Sequence, residues 1–190
     1  SIGVLENAIS REMCRYIISQ IERSNKWEKA LTVGESRGEV SAENSPRQND
    51  ILMISGIYEL ETLDKFINRV YRECIEEYLR KVSGLSPEMA GLTVDEGYQA
   101  LRYGTGGFYK PHIDYSSNEN GTGRAYIRAV SGLIYLTDDQ EGGEIYIPAQ
   151  DLKIKPKAGS VVFFPSIYTH PHQSMPVTRG TKYNIVTWWK

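Results

Sequence analysis

Two stretches of the chain carry apolar side chains at helical spacing, and both lie in its first half. In "SREMCRYIISQIER", residues 10–23, Met13, Ile17, Ile18 and Ile21 form one stripe, and Ser10 stands where an N-cap belongs. Across residues 61–82, Leu63, Phe66, Ile67, Val70, Cys74, Ile75, Tyr78, Leu79 and Val82 keep the i, i+3, i+4 rhythm of a longer helix with one buried face. Between them, "TVGESRGEVSAENSPRQND", residues 32–50, is polar and rich in Gly, Ser and Asn, which predicts a long loop. From about residue 93 the period shortens. "YQALRY", "AYIRAVSGLIYL", "GEIYIP", "LKIKP", "SVVFFP" and "KYNIVTWW" are β-branched or aromatic runs punctuated by Gly, Pro, Asp and Asn. Helices first and short strands afterwards predict an α+β fold whose helices pack on one face of a β-sandwich or open barrel.

With 190 residues, 40% of them apolar and 24% charged, the chain has the size and balance of one globular domain. A net charge of -2 with no dense basic run gives no broad attraction to nucleic acid or an anionic membrane, so neither is expected as a partner. The two cysteines, Cys14 and Cys74, fall in the helical stretches without paired spacing, and are expected as reduced, packed thiols. No apolar run reaches membrane-spanning length and no leader pattern opens the chain. A cytoplasmic, reducing setting is the expectation, and the oligomeric state is not legible.

Candidate chemistry gathers around "YKPHIDY", residues 109–115, in a chain with only three histidines. Side chains two apart on a strand share a face, so His112 and Asp114 can reach one ion while Ile113 turns into packing. Two imidazoles and a carboxylate on one side of an ion, with open positions opposite, suit a non-haem Fe(II) oxygenase. The third ligand then comes from His170 or His172, beyond "SVVFFP"; strand parity cannot separate them, because they also differ by two. Ten residues on, Lys182 sits in a half-apolar strand, where an inward-pointing lysine requires an anion.

Four ordered blocks, "LRYGTGGFYKPHIDY", "IYLTDDQEGGEIYIP", "IKPKAGSVVFFPS" and "HQSMPVTRGTKYNIVTWW", resemble the catalytic domain of the prolyl 4-hydroxylases, a family of 2-oxoglutarate and Fe(II)-dependent dioxygenases. The resemblance is close over residues 95–189 and looser over the helical part. It implies a double-stranded β-helix, jelly-roll or cupin-like, with the N-terminal helices packed on one sheet. Residues 1–190 would be a single oxygenase domain, with 1–92 as helical support and substrate-loop region and 93–190 as the catalytic core.

The same resemblance implies iron on His112, Asp114 and His172. It selects His172 because Pro176, Val177, Gly180 and Lys182 follow in the family's order, leaving His170 as a supporting or surface residue. Lys182 would pair with the far carboxylate of 2-oxoglutarate, with hydroxyl partners completing that carboxylate's surroundings, and Tyr103 and Tyr135 would line the cosubstrate pocket. Ile145 departs from the pattern: plant and algal relatives tend to place a threonine after "GGE" as a cosubstrate contact. Tyr109, Arg128 and Trp188 would form the peptide side. The implied reaction is hydroxylation of peptidyl proline at C4 with Fe(II), O2 and 2-oxoglutarate, giving succinate and CO2, with ascorbate as a further candidate reductant. A proline-containing peptide or protein is the expected partner. The alternatives are the same chemistry on a free amino acid or another side chain, and a non-catalytic metal- or peptide-binding β-sandwich. Residues 32–50 and "SSNENGTGRA", 116–125, are candidate lids.

Overall fold

The computed structural model describes residues 1–30, 45–115 and 128–190. The candidate lid at 116–125 and the 32–44 part of the other lie outside these residues. Among the described residues the strands are β1 (Gly3–Leu5), β2 (Glu28–Lys29), β3 (Arg47–Gln48), β4 (Asp50–Met53), β5 (Gln99–Tyr103), β6 (Phe108–His112), β7 (Val130–Tyr135) and β8 (Glu141–Gly142). They continue as β9 (Ile145–Ile147), β10 (Leu152–Ile154), β11 (Val161–Pro165), β12 (His172–Ser174), β13 (Val177–Arg179) and β14 (Lys182–Trp189). The helices are α1 (Arg11–Glu22), α2 (Glu61–Ser83) and the short α3 (Pro87–Ala90).

Both long helices form where their apolar stripes predict. Ser10 caps α1 by accepting the Met13 amide at 3.1 Å, and the stripe buries Cys14, Ile17 and Ile21. The longer α2 buries Leu63, Ile67, Val70, Tyr71, Cys74, Ile75, Tyr78 and Leu79, and ends where Gly84 takes the left-handed conformation, φ 73°. Both cysteines are buried free thiols. No helix among the described residues is long and apolar enough to cross a membrane.

The strands make a sandwich. A seven-stranded sheet runs in the order β1-β11-β7-β14-β5-β4-β2, facing a five-stranded sheet in the order β10-β9-β12-β6-β3, with β13-β8 as a separate ribbon. Every pairing is antiparallel. This is the double-stranded β-helix with helices on one sheet.

The large sheet is buried on both faces, and the two-residue period of its strands separates two cores. Ala100, Ile134, Phe163, Ile185 and Trp189 pack under the helices with Ile17, Ile67 and Tyr71. Residues of the opposite parity, including Leu101, Tyr103, Tyr135, Val162, Phe164 and Val186, turn into the sandwich. Each large apolar side chain so buried contributes about 1.5–3 kcal/mol. Tyr71 fastens α2 to the sheet: its hydroxyl donates to the carbonyls of Ile185 at 2.8 Å and Gly132 at 3.1 Å, beneath a ring stacked on Tyr98.

Two sequence expectations are corrected here. The first half of the chain supplies strands as well as helices: β1, β2 and β4 extend the large sheet and β3 edges the small one. Strands of two to four residues are too short to display an alternation, so nothing in the pattern announces them. For the same reason Arg47, Gln48 and Asp50, expected within a polar loop, are strand: Arg47 pairs with Tyr109, and Asp50 with Arg102.

Candidate metal centre and its pocket

The small sheet brings two histidines together. β6 ends at His112 and β12 begins at His172, and the antiparallel register sets them opposite one another with ring centroids 4.3 Å apart. Each ring directs Nδ1 at a backbone carbonyl, His112 at Lys110 O (2.8 Å) and His172 at His170 O (3.1 Å). A carbonyl can only accept, so Nδ1 carries the proton and Nε2 offers a lone pair. Both lone pairs face Asp114: His112 Nε2 lies 3.4 Å from Oδ1 and His172 Nε2 lies 3.5 Å from Oδ2. These separations exceed a good hydrogen bond. Two imidazoles and a carboxylate whose ligand atoms lie within 4.8 Å of one another can hold a cation between them.

The surroundings favour an ionised Asp114. Burial resists ionisation of Asp114, but His172, His112 and Ser131 outweigh it and keep the carboxyl well below the usual carboxylate range. Burial lowers His172 despite the attraction of Asp114, which favours the neutral ring that a metal requires. Ser131, on β7, donates to Asp114 Oδ2 at 2.7 Å and is itself 2.8 Å from the Ser166 hydroxyl. Since Ser131 spends its one proton on the carboxylate, Ser166 is the donor between the serines.

His170 stays outside the cluster. Its ring nitrogen meets Thr169 Oγ1 at 2.8 Å, and it serves the site only through the backbone carbonyl that orients His172. Ile113, expected in packing, is 41% exposed, because β6 stops at His112 and the alternation is not continued to the next residue.

A cavity of about 490 Å³ opens from the cluster into the sandwich. Lys182 lies in its wall, 3% exposed, donating to Gly143 O at 3.0 Å and to the Ser174 hydroxyl, with Nζ 4.1 Å from the centre of the Tyr103 ring. Burial drives its pKa down to about 7, against the weaker pull of Glu144. The lysine therefore points inward with a hydroxyl partner, where a lysine in such a strand more often faces solvent, and no carboxylate bonds to it among the described residues. Tyr103 and Tyr135 line the same cavity, and the Tyr135 hydroxyl is buried with no partner among the described residues. Burial pushes Tyr103 up to about 12 and Tyr135 further in the same direction, so both are neutral donors.

At the other side, Tyr109 stacks on His112, with centroids 3.6 Å apart and planes 15° apart, and carries Arg47 over its outer face at 4.3 Å. Trp188 lies under Arg128 at 3.8 Å. Arg128, which the family resemblance sends toward a peptide, lines the cavity, and its guanidinium grips both Glu96 oxygens, with contacts of 2.7–3.0 Å, and the Asp114 carbonyl at 3.3 Å. It braces the cavity wall and the backbone of Asp114.

Ser131, Ser174, Asn184 and Glu96 are the residues of this neighbourhood that sequence reasoning passes over. Parity could have found two of them, since Ser174 is two residues from His172 and Asn184 two from Lys182. Nothing local marks Ser131 or Glu96.

Residues 98–190 match the 2OG-Fe(II) oxygenase superfamily. Among curated relatives, probable prolyl 4-hydroxylase 3 of Arabidopsis thaliana is 28% identical, over 97% of this chain and 67% of its own length. Prolyl 4-hydroxylase subunit alpha-1 of Gallus gallus is 27% identical over 92% of this chain, which spans only 38% of that subunit. Among solved structures, a Pseudomonas putida prolyl-4-hydroxylase aligns over 100% of this chain and 91% of its own, with TM-score 0.65 and 18% identity. A Trichoplax adhaerens prolyl hydroxylase, solved with a hypoxia inducible factor oxygen degradation domain peptide fragment, aligns over 99% and 82%, with TM-score 0.74 and 20% identity. At these identities the structures establish a shared fold.

Proposed function

Because the chain belongs to the 2OG-Fe(II) oxygenase superfamily, we propose that it hydroxylates proline at C4 within a peptide, with 2-oxoglutarate and O2 as cosubstrates and succinate and CO2 as by-products. The observation that carries this reading is one cavity shared by the His112, Asp114 and His172 cluster, the buried Lys182 and the aromatic pair Tyr109 and Trp188. Those three features correspond to metal, dicarboxylate and peptide. The relatives named for prolyl hydroxylation, and the neighbour solved with a peptide fragment, favour a peptidyl substrate over a free amino acid.

His112, Asp114 and His172 would hold Fe(II), which supplies the oxidation of an unactivated C–H bond by O2. Three protein ligands are enough, since a fourth would take a position that the cosubstrates need. Lys182 would receive the far carboxylate of 2-oxoglutarate, with Ser174, Tyr103 and Tyr135 around it. A lysine ammonium makes a point-charge contact, so orientation falls to these hydroxyls. Leu101, Leu133 and Val186 line the cavity with apolar surface and limit water beside the reacting carbon. Tyr109 and Trp188 would flank the proline ring, and Arg128 holds the indole and the Asp114 backbone in place.

The test couples two measurements: conversion of 2-oxoglutarate to succinate with added Fe(II), and mass spectrometry of a proline-containing peptide library for a gain of about 16 Da, one oxygen atom. Succinate formed in step with oxidised proline is the expected result, with both abolished in Asp114→Ala. Turnover beside an unmodified library would move the substrate away from peptides. A metal-loaded protein with no turnover at all would leave a binding module.

A further inference from the structure

We propose that Asn184 is a further contact for the dicarboxylate that Lys182 receives, its carboxamide supplying the polar partner that Ile145 cannot. The inference rests on reading the Lys182 region as the cosubstrate site, and it adds a residue to that site.

Asn184 is 2% exposed and lines the cavity, yet its Oδ1 is fully buried and has no hydrogen-bond partner among the described residues. A buried carboxamide oxygen left bare is costly, and folded proteins seldom keep one without a ligand or water to complete it. Its position names the ligand. Asn184 follows Lys182 by two residues on β14, so both side chains project from the same face of the large sheet, one strand repeat of roughly 7 Å apart. In register it stands opposite Tyr135 on β7, whose hydroxyl is likewise buried and unpartnered. The bare Oδ1 is an acceptor and cannot itself serve an anion; the Asn184 amide N–H groups, beside the Tyr135 hydroxyl and the buried Lys182 ammonium, are the donors this side of the cavity could offer one.

On the opposite wall, the position of Ile145 offers no polar group. Ile145, on β9 of the small sheet, is 4% exposed and lines the same cavity with a side chain that cannot hydrogen-bond. A carboxylate seated between the two walls meets Ser174 on the small sheet, and Lys182, Tyr135 and the Asn184 carboxamide on the large one. The terminal torsion of asparagine is soft and its carboxamide has two donors beside the acceptor, so the N–H groups can turn toward a carboxylate at little cost.

The experiment measures 2-oxoglutarate binding to the Mn(II)-loaded protein by calorimetry and by the ligand-induced rise in melting temperature. Asn184→Leu, which removes the bare polar group, is expected to melt higher than wild type without ligand. It should also bind 2-oxoglutarate about tenfold more weakly, the effect of deleting a hydrogen bond to a charged group. Asn184→Asp, nearly isosteric, should bind more weakly still because its carboxylate repels the ligand, and in turnover the KM for 2-oxoglutarate should rise without a matching change in the KM for peptide. Gln140→Leu is the control: Gln140 also buries an unpartnered side-chain oxygen, but outside the cavity, so its replacement should leave 2-oxoglutarate affinity unchanged. Wild-type affinity in both Asn184 variants would overturn the assignment while leaving the cosubstrate site intact. A wild-type protein that does not bind 2-oxoglutarate at all would remove both readings together.

Discussion

At the scale of single residues, Lys182 sets the conditions under which the pocket can work. Its ordinary value of 10.5 is lowered by burial to about 7. Between those values the unfolded chain binds a proton that the folded protein sheds, so the stability of the ligand-free protein should rise as pH goes from about 7 to about 10.5. Binding a dicarboxylate restores the charged form, so 2-oxoglutarate affinity should be full below about pH 7 and weaken as pH rises above it. Lys182→Met removes the buried charge and keeps the packing. It should stabilise the ligand-free protein at pH 7 by an amount on the order of a few kcal/mol, raising the melting temperature by roughly 5–10 °C, while 2-oxoglutarate binding is abolished. Melting curves at pH 7 and 9, with calorimetry on the same samples, check both signs. A fall in melting temperature would mean that the bonds to Gly143 and Ser174 outweigh the desolvation of the ammonium.

At the scale of elements, β7 and β14 show what a strand buried on both faces demands. Gly132, in the middle of β7, has no side chain because there is no room: an added Cβ would stand 2.7 Å from the Trp189 ring and 3.0 Å from those of Phe163 and Tyr71. Gly132→Ala should therefore cost about 1–3 kcal/mol by overpacking, read as a lower urea midpoint with an unchanged slope. The same two strands mark the limit of what the sequence discloses. The helical stripes, Ser10 as cap and the even-numbered face of β14 from Lys182 to Trp188 are legible because period and parity are local properties. The pairing of Arg128 with Glu96 and of Ser131 with Asp114 is not, since each joins residues more than a dozen positions apart whose own surroundings look ordinary. Strands as short as β2 and β3 escape for a different reason: two residues contain no period.

At the scale of the whole molecule, the candidate metal ligands do not share one support. His112 and His172 belong to the small sheet, whereas Asp114 lies beyond the end of β6 and is held by the large sheet, through the Ser131 hydroxyl on β7 and the grip of Arg128 on its carbonyl. An ion bound by all three would tie the two halves of the sandwich across the open side of its cavity. Metal binding should then stabilise the entire fold by linkage, about 2.7 kcal/mol at a concentration one hundred times the dissociation constant, a rise of roughly 5–10 °C in melting temperature. Ser131 is the component that can be removed without touching a ligand. In Ser131→Ala the Asp114 carboxylate is deprived of its tether, and affinity for Mn(II) or Co(II) should fall about tenfold or more, as happens when residues that orient a metal ligand are deleted. Ser131→Thr, which keeps the hydroxyl, should restore most of that affinity. Melting curves taken across a Co(II) titration read the linkage, and the visible Co(II) spectrum reads coordination independently of turnover. Equal affinity in Ser131→Ala and wild type would show that the small sheet and the β6 terminus position the carboxylate unaided, and that the two sheets meet at the cavity without being joined by its ion.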